Sequence, residues 1–206
     1  MSIAIPHAML RELQRLPNWT EDVVRILHGP GVGSVWVRVG QFTITPKPIR
    51  AIGDAIKKGT IKVYYDPKML MAIKPSAAYY DGGYDAMFTS FVDTSTIGRK
   101  AVLVHEAVHA INDMKKRASI LHVDDEAAAY TAQMMYIRGT GVRAPIRLTS
   151  TTTVVDDIYR TAFAVADAIF AGTGHPTTEL EALRTAIRAH PDYTSSANAT
   201  VGYNGI

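Results

Sequence analysis

The 206-residue chain has no cysteine. Disulfides and thiolate metal ligands are therefore excluded, and any transition metal must be held by His, Asp or Glu. A chain without thiols is indifferent to redox conditions, so this absence does not fix a compartment. Charge of one sign is also scarce: Lys and Arg number 22 against 19 Asp and Glu, a net of +3. The one tight basic run, Lys115-Lys116-Arg117, has no interleaved aromatic residue. It reads as the last turn of a helix, where cations complement the dipole, and not as a nucleic-acid surface. Long hydrophobic runs are missing too. The most apolar late stretch, 162–172, is broken by Asp167 and is too short to span a bilayer. The opening residues lack the basic and apolar regions of a secretory signal, and no lipidation motif is present. The expectation is a cytoplasmic protein with neither nucleic acid nor membrane as partner, with export by a signal-free route left open. Internal repeats and low-complexity segments are absent.

What is present is ordinary globular composition, 47% hydrophobic and 20% charged, in a chain long enough to bury a core without staples. One domain is expected over residues 1–192. Residues 193–206, rich in Ser, Asn, Thr and Gly, are expected to form a flexible tail.

Helical spacing of Leu10, Leu13, Leu16, Val23, Val24 and Leu27 suggests a helix over 7–28, interrupted at Pro17. Residues 35–39 and 42–45 read as strands joined by a tight Gly40-Gln41 turn. A short helix over 48–58 stops at Gly59, and 61–65 reads as a strand. Residues 78–91 read as a hairpin around Asp81-Gly82-Gly83. The same acidic, aromatic segment fails the spacing of an EF-hand calcium loop. Thr94-Ser95-Thr96 offers an N-cap for a helix from about Arg99 to Arg117, apolar nearly all round and therefore expected in the core. Further helices are expected from Asp124 or Asp125 to Ile137, and over 154–171 and 178–190. Strands early and helices late argue for an α+β fold with a mixed or mostly antiparallel sheet. Trp19 and Trp36 are expected as core or half-buried anchors.

The chemistry lies in His105-Glu106-Ala107-Val108-His109. Two His four apart on a helix project from one face, one turn above the other. Their imidazoles can both reach one tetrahedral Zn²⁺. Glu106, displaced by about 100° around the axis, cannot readily share the ion but can reach a water in its open position, as a general base. With 7 His in the chain, chance produces this pattern in only about 0.7% of such sequences. Burying two His and a Glu in an apolar helix would also be costly without partners. A catalytic zinc needs a third protein ligand, and the start of the next helix offers Asp124, Asp125 and Glu126. Glu126 is favoured, because Ala127, Ala128 and Ala129 allow close approach of the two helices. Asp125 and then His122 are the alternatives. Asp124 or Asp125 is expected to cap the helix.

The His105-Glu106-Ala107-Val108-His109 motif followed by Glu126-Ala127-Ala128-Ala129 resembles the zincin-like metallopeptidases of the gluzincin type. The resemblance covers about residues 94–137. It implies zinc held by His105, His109 and Glu126, water activated by Glu106, and a sheet over the metal helix whose edge strand pairs with extended substrate. The 78–91 hairpin is the candidate for that edge. Many members also carry an acidic residue shortly after the third ligand that orients a zinc-bound His. Tyr130 stands four after Glu126 here, so Asp113 or a backbone carbonyl is the candidate orienting group.

The expected reaction is hydrolysis of a peptide or protein substrate, with Glu106 taking the water's proton and passing it to the leaving amine. The donor for the developing oxyanion is sought among Tyr130, Tyr136, Tyr159, His175 and His190, with Tyr130 favoured because it shares a helix face with Glu126. Two other readings fit the same residues. One is a metal-stabilised, catalytically silent binding module, and the other is a zinc amidase acting on cell-wall peptides. The absence of a signal would also suit an effector held in check by a regulatory or inhibitory partner protein.

Overall fold

The computed structural model of the chain describes residues 16–39, 42–66, 77–117, 119–143, 153–172 and 176–206. The first part of the expected opening helix, the Gly40-Gln41 turn and His175 lie outside these residues. Among the described residues the fold is mixed α+β, with six helices and small sheets.

Helix α1, Pro17–His28, starts at its proline, whose fixed φ and missing N–H suit a first helical position. It buries Trp19, Val23, Ile26 and Leu27. A 3-10 turn over Pro30–Ser34 leads to β1, Val37–Val39, which pairs antiparallel with β2, Phe42–Ile44. Both strands alternate buried, exposed, buried, the period-two pattern of a ribbon with one face on the core. Trp36, just before β1, is not an anchor: it is 60% exposed, unlike Trp19 at 2%. Helix α2, Pro46–Lys58, ends where Gly59 takes a left-handed φ of 79°, a conformation a side chain would resist.

Three strands form the main sheet: β3 (Lys62–Tyr65), β4 (Ala78–Asp81) and β5 (Ala86–Thr89). Their order is β3-β5-β4, with β3 parallel and β4 antiparallel to β5. The expected hairpin is thus present, and its first strand is an edge. Side chains divide by period two. Val63, Ala78 and Met87 join the main core, while Tyr79 and Tyr64 stack on Phe88 across the opposite face, at 4.8 and 5.4 Å. Trp19 donates its indole N–H to Thr89 Oγ1 at 3.0 Å, tying α1 to the central strand.

Helix α3, Ile97–Met114, begins at Thr96, whose hydroxyl accepts the Arg99 N–H at 3.3 Å. It is buried on almost every side, as its all-round apolar sequence requires. Lys115-Lys116-Arg117 follows its end, and the Arg117 guanidinium lies 5.0 Å over the Phe42 ring. A short strand, β6 (Ile120–Leu121), leads directly into helix α4, His122–Gly139. Helices α5 (Thr153–Phe170) and α6 (Thr177–Ala189) complete the helical layer. Contacts between α3 and α4 are the most extensive of any pair. Ala127, Ala128, Ala129 and Ala132 are each 0% exposed. Ala129 lies on the face of α4 that turns Asp125, Glu126 and Gln133 to α3, where a small side chain lets the backbones approach.

Residues 193–206, expected to be loose, pack onto the domain instead. Strand β7, Thr200–Val201, pairs antiparallel with β6 through Ile120↔Val201 and Leu121↔Thr200. Polar composition suggests a solvated segment, but several of its backbone and hydroxyl groups are bonded to α3 and α4.

Close approach of α3 and α4 gives a direct expectation. Ala129→Leu should destabilise the protein by about 1–3 kcal/mol through overpacking, read as a lower denaturant midpoint. An unchanged midpoint would mean that the alanine does not set the helix spacing.

Candidate metal centre

The site forms where the middle of α3 faces the first turns of α4. His105 and His109 rise from one face of α3, with ring centroids 5.0 Å apart. Glu126, one turn into α4, meets them. His105 Nε2 lies 3.4 Å from Glu126 Oε2, and His109 Nε2 lies 3.9 Å from Glu126 Oε1. One donor atom from each of the three residues lies within 4.8 Å of the others, which suits a metal ion. With zinc–donor distances of about 2.0–2.2 Å, a ligand tetrahedron has an edge of about 3.4 Å. The donor set therefore fits a single divalent cation of the N/O-preferring kind.

Ring orientation supports the same reading. His105 Nδ1 sits 3.1 Å from Gln133 Oε1, and His109 Nδ1 sits 2.9 Å from Asp125 Oδ2. Amide and carboxylate oxygens only accept, so each ring carries its N–H on Nδ1 and presents Nε2 to the centre. Asp125 is itself fixed. Asn112 Nδ2 donates to its Oδ1 at 2.6 Å and the Tyr203 hydroxyl donates to its Oδ2 at 2.6 Å. The expected orienting group, Asp113, does not touch either ring. Its Oδ2 accepts the Tyr80 hydroxyl at 2.7 Å and its Oδ1 accepts the Gly205 N–H at 2.8 Å. Asp113 lies one turn beyond His109 on its own helix, but Tyr80 on β4 and Gly205 take its two oxygens.

The three candidates for the third ligand separate cleanly. Asp124 pairs with Arg184 at 2.7 Å, and Asp125 holds His109 from behind. Neither caps α4: the N-cap is Leu121, without a side-chain bond. His122, one turn before Glu126, places Nε2 3.2 Å from Glu126 Oε1 and Nδ1 2.9 Å from Ser196 Oγ. It steadies the Glu126 carboxylate.

Glu106 is 5% exposed, and its Oε2 accepts the backbone N–H of Tyr80 on β4 at 2.8 Å. The carboxylate of the motif is thereby held at the edge strand. Tyr130 packs its ring edge-on to His105, with centroids 4.5 Å apart. Its hydroxyl does not reach Glu126 itself. It lies 2.9 Å from the Tyr193 hydroxyl, which donates to Glu126 Oε2 at 3.3 Å. Of the other oxyanion candidates, Tyr159 meets Tyr130 edge-on at 5.8 Å, and His190 accepts the Asp192 N–H through Nδ1. Tyr136 packs its ring against the backbone of Gly31, where a Cβ would come within 2.7 Å.

Charges in the cluster reinforce one another. Burial opposes a charge on His109, but Asp125, Glu126 and Glu106 outweigh it and raise its pKa to about 10. Burial would likewise raise the Glu126 carboxyl. Hydrogen bonds from His105 and His122 and the charge of His109 prevail and hold it well below the ordinary glutamate range. Asp125 is lowered against its burial by His109 and Tyr203. Burial drives the phenols of Tyr130 and Tyr193 upward, so both stay protonated donors.

Sequence reasoning did not assign Gln133, Asn112, Tyr193 or Tyr203 to the site. Gln133 follows Glu126 by seven on the same helix face, a signal that was available. Tyr193 and Tyr203 arrive from separations of 67 and 78 residues, which no local spacing reveals.

Known protein families, curated proteins and solved structures include no match to this chain.

A cation arriving at Nε2 must displace the proton that the raised pKa keeps on His109. Zinc affinity should therefore rise steadily between pH 6 and pH 8, with proton release detectable by calorimetry in buffers of different ionisation enthalpy. Affinity independent of pH would place the ion elsewhere.

Proposed function

We propose that the chain is a zinc-dependent metallopeptidase of zincin-like architecture, using His105, His109 and Glu126 as metal ligands and Glu106 as general base. The observation that carries this reading is the convergence of three donor side chains beside a fourth, Glu106, that is anchored to the edge of a sheet by Tyr80 N–H. A purely structural zinc site closes its fourth position and has no need of an adjacent base.

A bound Zn²⁺ would polarise the scissile carbonyl and acidify water at its open position. The chain's own groups account for the remaining steps. Glu106 accepts the proton of the attacking water and delivers it to the departing amine. Its anchorage to Tyr80 N–H holds one oxygen at β4, so the other is the one to exchange protons. Tyr193 and Tyr130 are linked phenols next to Glu126 with strongly raised pKa values. As negative charge develops on the carbonyl oxygen, Tyr193 turns its single O–H from Glu126 to it while Tyr130 donates to Tyr193. Tyr193 is the nearer of the two. Strand β4 pairs only with β5 among the described residues, leaving an edge beside Glu106 on which an extended peptide can add as a strand. Among the described residues no helix is long and apolar enough to cross a membrane.

Glu106→Gln should keep one zinc per chain and lose about 10²–10⁴-fold in hydrolysis of a peptide library. Full activity in this variant would remove Glu106 from the chemistry. A zinc-loaded wild type that cleaves no peptide would favour the binding-module reading.

A further inference from the structure

Among the described residues, most of the hydrogen bonds that reach the metal ligands and their partners from outside α3 and α4 come from one segment, residues 193–206. Strand β4 holds Glu106 and Asp113, and Tyr159 of α5 packs on Tyr130. The segment begins with Tyr193, whose hydroxyl donates to Glu126 Oε2. Ser196 Oγ meets His122 Nδ1. The carbonyls of Ala197 and Ala199 then accept the N–H groups of Val123 and His122 at 3.0 and 2.9 Å. Those are first-turn amides of α4, whose N-cap Leu121 brings no side-chain acceptor. Orphan N–H groups at a helix start must find partners, and here the segment supplies them. Strand β7 next pairs with β6, immediately ahead of α4.

The far end of the segment crosses to α3. Tyr203 N–H is bonded to the Arg117 carbonyl at 3.2 Å. The Tyr203 hydroxyl donates to Asp125 Oδ2 at 2.6 Å and lies 3.4 Å from His109 Nδ1. Gly205 N–H donates to Asp113 Oδ1 at 2.8 Å, and the other oxygen of Asp113 accepts the hydroxyl of Tyr80, whose backbone N–H holds Glu106. The segment thus contacts the partner of His109, the partner of Glu126 and the residue that fixes the strand carrying the Glu106 anchor.

We infer that residues 193–206 form a strap whose docking positions the metal ligands, with Tyr203 as its positioning residue acting through Asp125 on His109. This rests on the reading that His105, His109 and Glu126 hold a cation. Loss of the Tyr203 hydroxyl leaves one Asp125 oxygen with His109 as its only partner, so the carboxylate and the ring it aims are less constrained. Coupling is reciprocal: if docking of the strap strengthens ion binding, ion binding strengthens docking by the same factor.

Two measurements on the full chain test this, with zinc as the probe. The first is zinc affinity at 20 °C, by competition with a chelator, for wild type, Tyr203→Phe, Asp125→Asn and the double variant. Tyr203→Phe should bind zinc at least about tenfold more weakly while remaining folded by circular dichroism. Adding it to Asp125→Asn should bring little further loss, since both act along one path. A residue that serves stability alone would lower the melting temperature and leave affinity at 20 °C unchanged. The second measurement needs no variant. Amide hydrogen exchange in wild type should slow at Tyr203 and Gly205 when zinc is added. Unchanged affinity in folded Tyr203→Phe, or full additivity with Asp125→Asn, overturns the strap. Unchanged exchange at Tyr203 and Gly205 in zinc-loaded wild type overturns it as well, whatever the fate of the variants. Wild type that binds no zinc overturns the metal reading and the strap together.

Discussion

Two imidazoles one helical turn apart can share an ion only when each ring is prevented from turning. In this chain the restraint is the bond each ring makes from Nδ1, His109 to Asp125 and His105 to Gln133. Both partners lie on α4, the helix that also brings Glu126. The spacing of α3 against α4 therefore sets, at once, the position of the third donor and the rotation of the first two. A shift of one helix along the other would break all three relations together. On the proposed metal reading, the packing of the two helices sets the site as well as the core.

The cluster is also an unusual concentration of buried polar groups. His105, Glu106, Asn112, Asp113, Asp125, Glu126 and Gln133 are all buried in a core that is otherwise apolar. Removing such groups from water is costly unless each finds a partner. Most partners come from three directions: β4 for Glu106 and Asp113, α4 for the two His, and residues 193–206 for Asp125, Glu126 and His122. Asn112 Oδ1 and Gln133 Nε2 make no hydrogen bond among the described residues. Carboxylates around His109 raise its pKa against burial. The charge of His109 and hydrogen bonds from the rings and Tyr203 lower the pKa values of Asp125 and Glu126 against their burial and mutual repulsion. The arrangement has an excess of carboxylates around a ring. The same excess favours a divalent cation.

Much of this was legible in local sequence. The spacing of His105 and His109, the all-round apolar character of their helix and the alanines after Glu126 were enough to place three donors together. Period-two and helical patterns located the hairpin and the later helices to within a few residues. What stayed hidden depended on long-range assembly. The Ser- and Asn-rich composition of 193–206 reads as loose, because composition cannot show that its carbonyls complete an uncapped helix start. Asp113 has the right spacing to reach a His on its own helix, yet the neighbouring β4 and Gly205 claim its oxygens first. Tyr130 has the right helical phase for Glu126, but Tyr193 is interposed. In each case a tertiary partner displaced the local one.

The central claim, that His105, His109 and Glu126 converge on one cation, is tested most directly by X-ray absorption at the zinc edge on the purified, zinc-loaded protein. The account predicts one zinc per chain with N/O donors at about 2.0–2.1 Å and the outer-shell scattering of two imidazoles, reduced to one in His109→Ala. A zinc shell without imidazole scattering, or one unchanged by that substitution, would contradict it.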